Sequence, residues 1–158
     1  MKNMLSIASG FQYSVNIGYD LNNDEKIINY MPNISAMKFI SQVIASTDEK
    51  ATDRARVLVG AYGKGKSHMV LSTMALLMNR DRNLFQHLWQ ADAEGILRKQ
   101  VDRFDHQGKK LLPVIISGSN TSLTQAFILS LQRTLNDNDM LDIMPETNYR
   151  AAVKCIER

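Results

Sequence analysis

The octapeptide Gly60-Ala61-Tyr62-Gly63-Lys64-Gly65-Lys66-Ser67 constrains this chain more than any other feature, because it satisfies the pattern GxxxxGK[ST] at every specified position. It follows a short apolar run, Val57-Leu58-Val59, that reads as a buried strand. After it, Met69, Leu71, Met74, Ala75, Leu77 and Met78 recur at helical spacing, predicting a helix over Gly65 to Arg80. Strand, glycine loop and helix in that order are the context in which such a loop cradles phosphate. Glycines at 60, 63 and 65 free the backbone to aim successive N–H groups into an anion nest. The following helix adds unpaired N–H groups and the positive end of its dipole.

Each remaining position has a chemical task in this reading. Lys66 reaches the β- and γ-phosphates as the catalytic cation, and Ser67 offers its hydroxyl to Mg²⁺. Ala61, Tyr62 and Lys64 complete the loop that lines the nucleotide, and His68 can donate to the α-phosphate from the first helical turn. The competing reading is a glycine-rich turn that merely starts a helix, which leaves Lys and Ser together after the last glycine unexplained. For His68 the plainer alternative is a solvated histidine, and for Lys64 an outward surface lysine. Asp53 and Arg54 stand where a base or ribose could be contacted, although ordinary charged loop residues are the favoured account of them.

Along the rest of the chain, Phe11, Tyr13, Val15, Ile17, Tyr19 and Leu21 alternate with polar residues and predict a strand or hairpin. Ile34, Met37, Ile40, Val43 and Ile44 predict a helix over about Ser35 to Ala45. A further helix over Leu84 to Phe104 is interrupted near Gly95. Leu111 to Ile116 reads as a second buried strand. Thr121 or its neighbour caps a helix running through Leu123, Phe127, Ile128, Leu131 and Leu135. Thr147 to Arg158 begins one more helix. Alternating strands and helices predict an α/β fold, with residues 1–54 as an N-terminal strand and helix segment flanking the nucleotide site and 55–158 as the start of the nucleotide-binding core, cut short at its C-terminal end.

Composition narrows the partners. The chain has 158 residues, with 19 Lys and Arg against 16 Asp and Glu, so a net charge of +3 gives no support to nucleic acid or a membrane surface. Arg98, Lys99, Arg103, Lys109 and Lys110 cluster, yet Asp92, Glu94, Asp102 and Asp105 are interleaved, as on a solvated face. The single cysteine, Cys155, permits no intrachain disulfide and points to a reducing cytoplasm. No apolar stretch approaches the length of a membrane span.

The stretch RARVLVGAYGKGKSHMVLSTMALLM resembles the phosphate loop of large bacterial AAA+ or STAND-like ATPases, including the ATP-binding proteins of BREX-type phage-defence systems. The resemblance is close over Ala55 to Met78 and extends in layout over Phe11 to Leu135. It implies a three-layer parallel sheet of the P-loop NTPase kind, incomplete here, with ATP and Mg²⁺ as ligands. It further implies an adenine pocket made partly by the segment before the loop, and assembly into a homo-oligomer or larger complex through a longer multidomain ATPase. The family's acidic strand and arginine finger have no matching positions in this sequence, since LLPVIISGSN ends without a carboxylate. The expected function is therefore ATP·Mg²⁺ binding with little turnover by this chain alone, and the alternative is a non-hydrolysing regulatory or interaction module.

Overall fold

A computed structural model describes residues 14–118 and 122–144. All regular structure among them is helical: α1 (Ile17–Asp20), α2 (Asp24–Ile28), α3 (Ile34–Ala45), α4 (Lys66–Leu77), α5 (Gln86–Ala91), α6 (Ile96–His106) and α7 (Leu123–Asn136), with 3-10 turns at Arg82–Phe85 and Leu141–Ile143. The chain divides into two compact units, Met1–Leu112 and Pro113–Arg158.

This corrects the α/β expectation, because the described residues contain no strand and no sheet. Val57, Leu58 and Val59 leave the helical path but pair with nothing, and Val57 and Val59 stand 87% and 91% exposed. Leu111 to Ile116 likewise forms no ladder, with Leu111 and Ile116 exposed at its ends. A strand is defined by its neighbour's hydrogen bonds, so an apolar β-prone run makes none until a second chain segment lies beside it. The alternation from Phe11 onward is also overruled where it is described. Asn16 there turns the chain into α1 by accepting from the Gly18 N–H at 3.1 Å. Phe11 and Tyr13, Thr121 and the helix expected over Thr147 to Arg158 lie outside the described residues.

Asparagines cap the first three helices of the first unit. Asn23 accepts from Lys26 N–H and Asn33 from Ala36 N–H, the latter at 2.9 Å, satisfying donors that the first turn leaves open. In α3, Ala36, Ile40 and Ile44 repeat every four residues and are buried. They face α6, whose Leu97, Val101 and Phe104 bury the matching stripe, and Ser41 Oγ donates to Gln100 Oε1 at 2.8 Å across the pair. Gly95, at φ +65°, breaks the long helix expected over residues 84–104 into α5 and α6, a backbone angle that disfavours side-chain-bearing residues.

At the centre lies α4, against which α1, α2 and α3 all pack. Leu71, Ser72, Thr73, Ala75, Leu76 and Leu77 are buried, so this helix is enclosed on nearly every side instead of presenting one apolar stripe. Thr73 Oγ1 donates to the Met69 carbonyl at 2.7 Å, whereas the Ser72 hydroxyl is buried without a hydrogen-bond partner. The core of the first unit therefore runs from α3 to α4 across the 54/55 boundary expected from the sequence. In the second unit, Ser122 caps α7 by accepting from Gln125 N–H at 3.2 Å, and Leu135 and Met144 are buried.

Two substitutions in this core should behave oppositely. Ile40→Ala, at a position with no exposed surface, is expected to cost about 2–5 kcal/mol of unfolding free energy through lost burial and a residual cavity. Ser72→Ala removes a hydroxyl that burial leaves unsatisfied, so stability should hold or rise. Urea unfolding followed by circular dichroism checks both, and a Ser72→Ala loss comparable to that of Ile40→Ala would show that the hydroxyl has a partner.

Candidate phosphate-binding loop

The loop from Gly60 to Ser67 runs from the irregular segment Val57-Leu58-Val59 into the first turn of α4. Gly63 and Gly65 adopt φ +75° and +76°, left-handed conformations that disfavour any residue bearing a Cβ. These angles fold the loop back over itself. The Lys66 side chain then crosses it, and its ammonium donates to the carbonyls of Gly60 at 2.8 Å and Ala61 at 2.7 Å. A Cβ on Gly60 would stand 3.8 Å from Lys66 Cδ, so the lysine stem passes directly above the loop's first residue. An ammonium carries three protons; two are committed to the loop and one remains for an anion.

The start of α4 supplies further donors. Gly65 is its N-cap and contributes no side-chain acceptor, so the N–H groups of the first turn are left open as at any uncapped helix start. The other glycine-led helix shows the contrast. Ahead of α6, Asp92 accepts from Leu97 N–H at 3.2 Å and Arg98 N–H at 2.8 Å. Side chains also cap α1, α2, α3 and α7. Ser67 is exposed and free to turn its hydroxyl toward the loop mouth. An anion with several oxygens fits these donors, one ammonium proton and the helix-start N–H groups, and the Ser67 hydroxyl oxygen suits a hard cation carried by that anion. Among the described residues no group of three or more His, Cys, Asp or Glu is arranged to hold a metal by itself.

The remaining expected site residues are placed as follows. Gly60, Ala61, Gly63, Gly65, Lys66 and Ser67 come together in the loop, while Tyr62 is 94% exposed and Lys64 is exposed. His68 turns away from the loop: its Nε2 hydrogen-bonds the Lys26 carbonyl on α2, and its ring lies 4.7 Å from that of Tyr30. Burial is the leading cause that pulls the His68 pKa below the ordinary histidine value. The Lys26 charge acts in the same direction, against opposing pulls from the Lys26 carbonyl and Asp20. Burial pushes the Tyr30 phenol up to about 12. Asp53 and Arg54 are absorbed by their own loop, Asp53 pairing with Arg56 at 2.7 Å and Arg54 donating to the carbonyls of Ala51, Asp48 and Glu49. Of the basic cluster, Arg98 sits over the Trp89 ring at 5.6 Å and Lys109 faces Glu49 at 3.5 Å. Arg82, across from that cluster, pairs with Asp102 and Asp105.

Sequence reasoning had no means of finding Lys26 and Tyr30, whose link to the loop is made by packing across some forty residues of chain. Asp92 was legible in principle, as a carboxylate shortly before a glycine-led helix. No protein-family model, curated protein or solved structure matches the chain. Among the described residues, no helix is long and apolar enough to cross a membrane.

A pH dependence of stability follows from His68. Its pKa in the folded chain lies below the unfolded value of about 6.5, so at low pH the unfolded chain binds the additional proton more readily. The stability contributed by neutral His68 is fully present above about pH 6.5 and is lost progressively as pH falls from there through the lowered folded-state pKa. Melting temperature measured between pH 7.5 and 5.5 should fall more for the wild type than for His68→Gln, and equal slopes would remove His68 as the cause.

Proposed function

We propose that this chain binds the polyphosphate of ATP·Mg²⁺ in the loop Gly60–Ser67. The observation that carries the reading is the Lys66 ammonium, held over the loop by the Gly60 and Ala61 carbonyls beside the uncapped start of α4. A cation held in place by its own loop loses little side-chain freedom on meeting an anion, which lowers the entropic cost of binding. Its remaining proton and the first-turn N–H groups of α4 are donors of the kind that bind phosphate oxygens, and the helix dipole adds favourable potential at the same place. Ser67 is the group suited to ligate Mg²⁺ while the metal bridges two phosphates. The proposal requires the loop and α4 alone and involves no parallel sheet.

A second reading, in which bound nucleotide serves a regulatory role and the chain presents a surface to a protein partner, is favoured by the exposed Val57 and Val59 immediately before the loop. Clustered exposed apolar residues are a common mark of an interaction surface, and these two stand two positions apart in the chain. A single-turnover assay separates the two readings: Lys66-dependent phosphate release supports an enzyme, and tight binding without release supports the module.

Calorimetric titration with ATP tests the binding itself. Lys66→Ala should lose binding, because the phosphate charge is left uncompensated, and equal affinity for wild type and variant would overturn the assignment. Ser67→Ala should weaken binding in the presence of Mg²⁺ and leave the metal-free affinity unchanged. Gly65→Val should weaken binding while lowering stability by no more than about 1–2 kcal/mol, since a Cβ meets nothing within 4 Å there and the cost is that of the left-handed φ.

A further inference from the structure

The first turn of α4 is tied to the segment 14–30 through His68, and the far end of the same helix is tied to that segment again. His68 Nε2 donates to the Lys26 carbonyl. That carbonyl is itself fixed, because Lys26 is 4% exposed and its ammonium donates to the Ser14 carbonyl at 3.0 Å. The His68 ring is backed by Tyr30. Beyond the C-terminal end of α4, Arg80 donates to the Leu21 carbonyl at 2.8 Å and pairs with Asp24, the first residue of α2. Nine residues of helix, 69–77, lie between these two attachments, about 14 Å at the α-helical rise.

We infer that α1 and α2 act as a positioning element for the phosphate loop, and that His68 is the positioning residue that orients the first turn of α4 and is not a ligand to phosphate. The inference rests on the reading of Gly60–Ser67 as the phosphate site. A neutral imidazole has one N–H and one lone pair. With Nε2 donating to the carbonyl, Nδ1 keeps the lone pair, which repels an anion. The ring also lies against Tyr30, tilted to it by 49° at 4.7 Å between centroids. The side chain therefore has nothing left to offer a phosphate, but it fixes where its own backbone N–H and that of Ser67 point. Rotating or sliding α4 would shift these donors and the Lys66 backbone together, so the two attachments set the geometry of the whole donor set. Positioning of this kind matters because donors displaced by about 1 Å lose much of their effect on a bound group.

The test uses the full chain, with inorganic tripolyphosphate and ATP, each with Mg²⁺, titrated calorimetrically well below the melting temperature of every variant. His68→Ala should weaken both ligands about tenfold, the equivalent of one lost hydrogen bond. His68→Gln, whose amide Nε2 can reach the same carbonyl, should restore affinity to within about twofold. Val101→Ala, a core change in α6 away from the loop, should lower the melting temperature and leave affinity unchanged. Native affinity in His68→Ala overturns the inference. So does failure of His68→Gln to rescue, which would mark an imidazole contact with the ligand itself, and so does an equal affinity loss in Val101→Ala, which would reduce the effect to lost stability. If the wild type binds neither ligand, the phosphate reading fails by itself, and the ligand-free amide resonances of Lys66, Ser67 and Met69 decide the positioning claim. Their displacement in His68→Ala and return in His68→Gln support it, and unchanged resonances overturn it.

Discussion

The burial of α4 is the constraint on which the first unit depends. A helix buried at Leu71, Ser72, Thr73, Ala75, Leu76 and Leu77 has neighbours on nearly every side, and α1, α2 and α3 supply most of them. Because the candidate loop ends in the first turn of this helix, its donors inherit the rigidity of the core without being buried themselves. The loop can stay open to solvent while the atoms that would meet an anion are held by a packed element, the arrangement that gives a binding site both access and precision.

Polar bonds complete what packing begins. His68 and Arg80 bind backbone carbonyls of the segment 14–30, so α4 is fixed in rotation as well as in position. Asn16, Asn23 and Asn33 start α1, α2 and α3, and each accepts a backbone N–H two or three residues on. The short helices α1 and α2 would not persist in isolation, since helices this short are marginal in water. Their caps and their contacts with α4 account for them together.

How much of this was legible in the sequence depended on whether the deciding interaction was local. The helix over residues 34–45, the one opening at Lys66 and the one over 123–136 all declared themselves through apolar periodicity, a pattern set by neighbours four residues apart or fewer. The break at Gly95 was legible for the same reason. The two strands were not, because β structure needs a partner whose place no local pattern encodes. Val57-Leu58-Val59 has the composition of a buried strand and nearly fully exposed outer valines. The alternation around Val15 and Ile17 was equally misleading, since Asn16 offers a helix cap that competes with the extended chain. At the candidate site, the loop residues were legible by spacing, whereas the turn of His68 toward Lys26 and Tyr30 was set by tertiary packing.

The loop and the sheet that usually accompanies such a motif are therefore separable in physical terms. The loop's shape depends on two left-handed glycines, one lysine folded back onto the carbonyls five and six residues before it, and a helix that begins without a cap. All of these are satisfied within nine residues, and none calls for a hydrogen bond from a neighbouring strand. A sheet could hold the entry to the loop by pairing with Val57 to Val59. Here the fixed end is the exit, where α4 is buried and bolted to α2. An anion site needs its donors fixed relative to one another, and on the proposed reading anchoring the helix that carries them would do this from one side of the loop alone.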